Sequence, residues 1–217
     1  MNYFVTGTDT GVGKTFVTSG LVRFSRSKGI DAVGMKPICT GDDSDVRQLL
    51  DACGSCEPEH LINPVWYRTP VAPYTASIIE DRLIDLDGIR EAFEFLARQH
   101  SNVLVEGVGG IAVPIFAHYD FRDLARDLRL SVIIVAANRL GVLNHARLTV
   151  EAVRAAGLRC SLIALNSAHP DSDISQQTNL SILENLVDVP ILAVEHDQQE
   201  FDDLARYLWE LPLPPPV

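Results

Sequence analysis

A glycine-rich segment near the start of the chain, Gly7–Thr15, has residue types and a spacing that suit phosphate binding. Glycines allow a loop to close tightly around a phosphate group, while backbone N–H groups and the N-terminus of a following helix point toward the anion. Lys14 is spaced to reach the β and γ phosphates of a nucleoside triphosphate, and the hydroxyl of Thr15 is suited to bind Mg²⁺. In the standard eight-residue register of such loops the first position is Thr8. The segment predicts a phosphate-binding loop between a strand and a helix.

Two further clusters follow buried strands, at the sheet edge where ligands bind in parallel α/β proteins. The first, Val103–Gly110, presents Glu106 and then three glycines that allow a ligand to approach the backbone. The second, Gly34–Gly41, places Lys36 before a proline that keeps it extended. Fifteen of the 18 basic residues are arginine, so a lysine retained here indicates a need for a compact ammonium charge. The clusters therefore predict that Glu106 supplies a carboxylate to a Mg-nucleotide and that Lys36 supplies a second ammonium beside Lys14.

An acidic turn, Gly41–Asp45, follows the second cluster and leads into a predicted helix. Any of Asp42, Asp43 and Asp45 offers the oxygen ligands that Mg²⁺ prefers. Acidic residues are also common as helix caps, so the spacing alone leaves the metal ligand in this turn open.

The elements that must position these residues can be read from the hydrophobic pattern. Short apolar runs alternate with amphipathic stretches, which predicts repeated β-α units around a mostly parallel central sheet with helices on both faces. No linker, repeat or charge block interrupts the pattern, so we expect one α/β domain over residues 1–217, ending in an extended Pro-rich tail at 211–217. The predicted strands are Asn2–Thr6, Asp31–Met35, Asn102–Val105, Ser131–Ala136, Leu158–Leu165 and Val189–Val194, and the predicted helices are Lys14–Lys28, one starting near Ser44, Asp87–His100, Leu143–Ala156, Asp173–Leu186 and Gln199–Trp209.

The composition argues against several classes of partner. The 217 residues are 47% hydrophobic, and 18 basic against 29 acidic residues give a formal net charge of -11. Such an anionic surface repels phosphate backbones and anionic lipids, so neither nucleic acid nor a membrane is an expected partner. No apolar stretch approaches the roughly 20 residues that span a bilayer. The start of the chain also lacks the features of a signal peptide, so we expect a cytoplasmic protein.

A close cysteine pair, Cys53 and Cys56, is followed by His60 and has the spacing of a metal or redox motif. A structural zinc site needs four ligands, however, and no second CxxC or HxxxH motif is present in the sequence. We therefore interpret the pair as free thiols near the end of a helix.

Taken together, the motifs resemble those of the dethiobiotin synthetase family, in the family's order, over most of the first 150 residues. Three positions differ from the usual pattern, because Thr40 replaces a serine, and Val46 and Val108 each replace an alanine. The resemblance implies a P-loop NTPase fold with about seven strands, and a homodimer. The matching family patterns are GTDTxVGKT at Gly7–Thr15, KPhxSG at Lys36–Gly41, SDA at Ser44–Val46, VEGAGG at Val105–Gly110 and GxhNHxxLT at Gly141–Thr149.

The resemblance implies a reaction of biotin biosynthesis. 7,8-Diaminopelargonic acid would react with CO₂ to form a carbamate, whose oxygen attacks the γ phosphate of ATP. The second amine then closes the ureido ring on the mixed anhydride and expels phosphate. Two anions meet in this reaction, which therefore requires electrostatic stabilisation.

The resemblance also implies a role for each matching residue. Lys14 and Lys36 would be catalytic, and Mg²⁺ would be bound by Thr15, Asp45 and Glu106. The implied ATP contacts are Gly11, Val12, Gly13, Lys14, Thr15, Phe16, Asp45, Glu106 and Asn166. The implied substrate contacts are Thr10 and Thr40 on the carbamate, together with Lys36, Gly109 and Asn144.

The C-terminal third matches the family in one residue and departs from it in one segment. Asn166, at the end of an apolar run, corresponds to the family's base-reading asparagine, because an amide both donates to and accepts from a purine edge. After the last strand the family often has a proline and an apolar residue, whereas this chain has Glu195–Gln198. The preferred nucleoside triphosphate is therefore left open.

An alternative from a different class is a partition- or septum-type ATPase, a nucleotide switch that uses the same kind of loop. Such proteins usually carry an extra lysine early in the loop, where this chain has Asp9, and they attach through a basic or amphipathic terminus. Other ligases of the same branch, such as cobyrinic acid amidases and the N-terminal part of CTP synthase, carry a glutaminase domain for which we expect no room here. Both alternatives fit the residues less well.

Overall fold

The structure is a computed structural model that describes residues 1–168 and 173–210. The described strands are β1 (Asn2–Gly7), β2 (Val33–Met35), β3 (Ile38–Thr40), β4 (Val65–Tyr67), β5 (Val103–Gly110), β6 (Pro114–Phe116), β7 (Tyr119–Asp120), β8 (Ser131–Ala137), β9 (Cys160–Asn166) and β10 (Ile191–Val194). The described helices are α1 (Lys14–Ser27), α2 (Ser44–Ala52), α3 (Glu59–Ile62), α4 (Pro73–Ile79), α5 (Leu86–Gln99), α6 (Phe121–Asp127), α7 (Val142–Ala155), α8 (Ile174–Leu186) and α9 (Asp202–Trp209).

The main sheet contains six parallel strands in the order β10-β9-β8-β1-β5-β2. These are the six strands predicted from the apolar runs, and the mostly parallel α/β fold is thereby confirmed. β1 lies inside the sheet, with β5 and β2 on one side and β8, β9 and β10 on the other. All carboxyl ends face the same edge, which in such sheets is the ligand-binding edge. The register pairs Val5 of β1 with Glu106 of β5, so the acid lies beside the start of the glycine-rich loop.

The core forms because the strands are apolar on both faces. In β8, residues 132–136 are all buried and include four consecutive β-branched residues, which favour extended backbone. The buried apolar side chains of the strands and helices belong to one hydrophobic cluster. Truncating a fully buried residue such as Ile134 to alanine would cost about 2–5 kcal/mol.

Helix α1 is packed closely against the segment that precedes α9. A Cβ atom at Gly20 would lie 2.4 Å from the Phe201 ring, so only a glycine allows this approach without rearrangement. The Phe201 ring also contacts Phe16 edge-on, with the ring centroids 6.0 Å apart. These contacts fix the first turn of α1, and with it the glycine-rich loop, relative to the C-terminal part of the described chain.

The predicted helices are present with shifted ends. α9 begins at Asp202 rather than Gln199, and α7 begins at Val142 with Gly141 as its N-cap. Helices α3, α4 and α6 and the paired short strands β3–β4 and β6–β7 were not predicted. The predicted Pro-rich tail at 211–217 lies outside the described residues. No helix in the described ranges is long and apolar enough to cross a membrane.

Candidate active site

A cavity of about 690 Å³ lies at the carboxyl edge of the main sheet. Its lining includes ten residues predicted from the sequence to bind nucleotide, metal or substrate: Thr10, Gly11, Gly13, Lys14, Thr15, Phe16, Lys36, Thr40, Asp45 and Gly109. The fold thus brings the glycine-rich loop, the ends of β3 and β5, the lysine after β2 and the start of α2 to one place.

The glycine-rich loop leads directly into α1. Gly13 is the N-cap of this helix and has a left-handed backbone with φ of 90°, which an L-residue adopts only at a cost. Lys14, the first helical residue, is buried, and its Nζ lies 3.4 Å from the backbone oxygen of Asp9. Burial lowers the pKa of Lys14, and the nearby Lys36 ammonium contributes a smaller shift in the same direction. An anionic group bound in the cavity would oppose this shift, because a nearby negative charge favours the ammonium form.

An ionic cluster of residues far apart in the sequence lies beside the cavity, where Thr15, Lys36 and Asp45 are in the lining. The fourth member, Glu106, is fully buried. The Lys36 Nζ donates to Asp45 Oδ2 at 2.6 Å and to Glu106 Oε1 at 2.7 Å. The Thr15 hydroxyl donates to the same Glu106 oxygen at 2.7 Å. Burial alone would lower the pKa of Lys36, but Glu106 and Asp45 outweigh burial and raise that pKa above its ordinary value. Lys36 is therefore held as a charged ammonium.

The donors of this cluster fit a hard divalent cation. Glu106 is fully buried, and its Oε2 atom has no hydrogen-bond partner, although an unsatisfied carboxylate oxygen is costly to bury. Asp45 is half-buried at the start of α2. Burial would raise the pKa of Asp45, but the Lys36 ammonium outweighs it and lowers that pKa, so the carboxylate is ionised. Two carboxylates and the Thr15 hydroxyl form an all-oxygen set of the kind that Mg²⁺ prefers when phosphates and water supply the other ligands.

Asn166 lies behind the loop, at the end of β9. Its side chain is buried, and Nδ2 donates to the backbone oxygen of Val12 at 3.0 Å. Its Oδ1 atom is buried without a hydrogen-bond partner. The amide thus supports the loop through one end and has an acceptor left for a further donor.

Some predicted residues do not reach the cavity. Asn144 lies in the first turn of α7 and is exposed, and it is not among the described residues that line the cavity. In the cysteine pair, Cys53 is buried at the end of α2, Cys56 is exposed, and both are free thiols. The described residues contain no cluster of three or more His, Cys, Asp or Glu side chains placed to hold a metal.

Several lining residues were not predicted. The segment of residues 70–72, between β4 and α4, forms one wall, where Pro70 lies close to Gly41. These residues are apolar and carry no chemical signature, so only their proximity in the fold identifies them. The remaining unpredicted lining residues are Cys39, Gln48, Val108 and Val113.

The sequence is similar to those of known proteins over almost its whole length. A family described as "AAA domain" matches residues 1–199. An ATP-dependent dethiobiotin synthetase BioD from Akkermansia muciniphila is 40% identical over 210 residues, which cover 97% of this chain and 99% of that protein. Proteins of the same name from Anaeromyxobacter dehalogenans (strain 2CP-C) and Aromatoleum aromaticum are 44% and 42% identical and cover 94% and 88% of this chain, and the same shares of their own lengths.

The chain belongs to the dethiobiotin synthetase family. Family membership confirms the resemblance inferred from the sequence motifs and makes the protein an ATP-dependent enzyme of this family. The matches extend beyond the motif segments, because they cover almost the whole chain.

Solved structures with the same fold include members of the alternative class. The septum site-determining protein MinD of Pyrococcus horikoshii OT3, complexed with Mg-ADP, has a TM-score of 0.56 at 16% identity and matches 91% of this chain and 82% of its own. A ParA family ATPase of Chlorobium tepidum TLS has a TM-score of 0.53 at 14% identity and matches 96% of this chain and 89% of its own. At such low identity these similarities show the P-loop NTPase fold alone, whereas the dethiobiotin synthetases are similar in sequence.

Proposed function

We propose that this protein converts 7,8-diaminopelargonic acid, CO₂ and ATP into dethiobiotin, ADP and phosphate. The observation that supports this most directly is the ionic cluster of Lys36, Asp45 and Glu106 beside the phosphate-binding loop. Partition- and septum-type switches usually carry their extra lysine early in the loop, where this chain has Asp9, whereas the second buried ammonium of this cavity is Lys36, directly after β2. A second ammonium is useful where an additional anion must approach the γ phosphate.

The nucleotide would be held by the loop and by Asn166. Backbone N–H groups of Gly11 and Gly13 and the N-terminus of α1 would bind the phosphates, with Lys14 at the β and γ positions. The free Oδ1 of Asn166 is suited to accept a hydrogen bond from an exocyclic amine of the base. The other implied ATP contacts are Val12, Thr15, Phe16, Asp45 and Glu106.

The metal ligands would be Thr15, Asp45 and Glu106, the three residues that the cluster brings together. Mg²⁺ bound there would neutralise charge on the phosphates and orient them. The protein's part is to hold these oxygens in place, with Lys36 hydrogen-bonded to two of the three ligands.

The substrate would lie in the same cavity, between the loop and residues 70–72. Thr10 and Thr40 line the cavity and are suited to hydrogen-bond the carbamate. Gly109 has φ of 61° and leaves space for the substrate next to Thr10. The carbamate oxygen would attack the γ phosphorus, and ADP would leave. The second amine would then attack the carbonyl carbon, lose a proton and expel phosphate as the ring closes.

The ammonium groups of Lys36 and Lys14 would stabilise the negative charge of the carbamate and the phosphates during these steps. Carbamate and γ phosphate are both anions, so their approach is favourable only beside fixed positive charge. Lys36 directly follows β2, and Lys14 is the first residue of α1. Both line the cavity, so both would supply fixed positive charge to anions that meet there.

We further propose a homodimer that forms through the start of α7. Asn144 and Leu148 are four residues apart on one side of α7, Leu140 lies just before the N-cap Gly141, and all three are exposed. Exposed large apolar side chains in such a row suit a contact with a second copy. The contact would bring Asn144 to a shared substrate site. Sedimentation should show a dimer that Leu148→Glu weakens together with activity, whereas a fully active monomer would contradict the shared site.

A product assay tests the proposed reaction. The protein is incubated with diaminopelargonate, bicarbonate, Mg²⁺ and each nucleoside triphosphate in turn, and dethiobiotin is detected by mass. Lys36→Ala should lower product formation about a hundred- to a thousandfold. The matched variant Lys28→Ala, which removes an exposed lysine on the surface, should retain it. Nucleotide turnover that does not depend on diaminopelargonate would indicate a switch instead.

A further inference from the structure

Lys36 is an unusually buried ion-pair partner for this chain. Its side chain is 4% exposed, whereas every other lysine or arginine in an ion pair of the described residues is at least 25% exposed. Removing charges from water is costly, and a buried pair is often no more stable than an apolar replacement. The arrangement therefore calls for an explanation other than stability.

The two carboxylates that accept hydrogen bonds from Lys36 differ in whether they have a free oxygen for a cation and in how exposed they are. The Oε1 atom of Glu106 accepts hydrogen bonds from both Lys36 and Thr15, and its Oε2 atom is buried without a hydrogen-bond partner. Glu106 can therefore keep Lys36 on one oxygen and bind a cation through the other. Asp45 has a side chain that is 39% exposed and lines the cavity, so an incoming metal with its phosphates reaches Asp45 directly.

The side-chain charges of the ionic cluster are balanced when the neighbouring Lys14 is included. Lys14 and Lys36 supply two positive charges, and Asp45 and Glu106 supply two negative charges. A divalent cation bound to the same carboxylates would lie next to the Lys36 ammonium, and like charges repel strongly where water is scarce. The repulsion is relieved if the ammonium leaves the more exposed carboxylate.

We propose that Lys36 competes with the divalent metal for Asp45, and that metal binding releases the Lys36 ammonium into the cavity. The released ammonium remains tethered by Glu106 and becomes available to an anionic substrate. This inference rests on the proposed function, because it takes Asp45 and Glu106 as metal ligands and a carbamate as the anion. Lys36 thus makes the substrate site depend on the metal site.

A thermodynamic consequence follows from this competition. If metal binding frees Lys36 for the carbamate, then the carbamate must raise the affinity for the metal by the same factor, because coupling between two sites is reciprocal. A carbamate would then bind more tightly when the metal is in place.

Binding of Mn²⁺ to the protein without nucleotide tests the competition. Free Mn²⁺ is measured by electron paramagnetic resonance for the wild type, Lys36→Met and Lys14→Met. Each variant removes one positive charge from the same cavity, but the Lys14 ammonium makes no described hydrogen bond to either carboxylate. We expect Lys36→Met to bind Mn²⁺ on the order of tenfold more tightly than the wild type, and Lys14→Met to change affinity much less.

Two results would overturn the proposal. Equal tightening in both variants would mean that net charge alone matters, and weaker binding in Lys36→Met would mean that Lys36 holds the ligands in position for the metal. Neither result depends on product formation. A wild type that makes no dethiobiotin would refute the proposed function, while the Mn²⁺ series would still report on the competition.

A measurement on the wild type covers the case in which Lys36→Met fails to fold. The chain has only three lysines, so selective ¹⁵N and ¹³C labelling gives three ammonium signals in a nuclear magnetic resonance spectrum. Lys28 is 52% exposed and serves as the internal control. We expect the protons of the Lys36 ammonium to be protected from exchange in the free protein and to exchange faster after saturation with Mg²⁺ and ADP. Unchanged protection of Lys36 at saturation would contradict release.

Discussion

Gly13→Ala should destabilise the fold more than Gly11→Ala, although both glycines have a left-handed backbone. Their φ angles are 90° and 70°, and an L-residue in this region costs about 1–2 kcal/mol. A Cβ atom at Gly11 would meet nothing within 4 Å, whereas one at Gly13 would lie 2.1 Å from Asn166 Nδ2. The two substitutions therefore share the backbone cost and differ in the contact with Asn166.

The magnitude follows from what Asn166 loses when it moves. Its Nδ2 atom donates to the backbone oxygen of Val12 at 3.0 Å in a buried place, and leaving such groups unpaired costs about 1–3 kcal/mol. We therefore expect a loss of unfolding free energy of about 1–2 kcal/mol for Gly11→Ala and about 2–5 kcal/mol for Gly13→Ala.

Urea unfolding of four variants measures these differences. The variants are Gly11→Ala, Gly13→Ala, Asn166→Ala and the double variant Gly13→Ala/Asn166→Ala. The double variant loses the Asn166 amide only once, so its free-energy loss should be smaller than the sum of the single losses by about 1–3 kcal/mol. Equal losses for the two glycine variants, with additivity in the double variant, would refute the contact between the loop and Asn166.

Three further perturbations have defined outcomes. Lys14→Ala should abolish nucleotide turnover without changing the circular dichroism spectrum, because the loop is mainly backbone, and normal turnover would contradict the phosphate-binding role. Asp45→Asn should raise the Mg²⁺ concentration that half-saturates activity, since an amide is a poorer ligand than a carboxylate. Asp43→Asn should leave that concentration unchanged, because Asp43 pairs with Arg47 at the surface. The reverse pattern would mean that Asp43, and not Asp45, is the metal ligand. Burial would raise the pKa of Asp31, but hydrogen bonds from His100 and the Ser101 backbone outweigh it and lower that pKa. Stability from this group is present above pH 3.8 and is lost as pH falls through the lowered pKa, so Asp31→Asn should flatten the acid side of the stability curve.

The main sheet could be predicted from the sequence because most of its strands contain an apolar run, such as residues 132–135 of β8 and 162–165 of β9. The short strands β3 and β4 could not be predicted, because a strand of three residues is too short to show a hydrophobic period. Their pairing depends on tertiary contacts. The Trp66 indole donates to the Gly41 backbone oxygen, and the Tyr67 hydroxyl donates to the Arg82 backbone oxygen. Such contacts join segments that nothing in the local sequence relates.

The candidate site also has a part that could be predicted from the sequence and a part that could not. The loop could be predicted because its glycines and lysine are adjacent in the chain, and the choice of Asp45 over its neighbours came from the family resemblance. The structure pairs Asp45 with Lys36, whose ammonium also contacts Glu106 across 70 positions of sequence. The wall at residues 70–72 could not be predicted, because apolar residues bind by shape and carry no chemical signature. The role of Asn144 stays a prediction, since it depends on a second copy of the chain.

The most direct test of the proposed reaction is the fate of labelled bicarbonate. The purified protein is incubated with diaminopelargonate, ¹³C-bicarbonate and Mg-ATP, and dethiobiotin, ADP and phosphate are quantified together. We predict that dethiobiotin carries the ¹³C label in its ureido carbon, and that ADP and dethiobiotin form in equal amounts only when the diamine is present. ATP hydrolysis at the same rate without diamine, with no labelled dethiobiotin, would contradict the assignment.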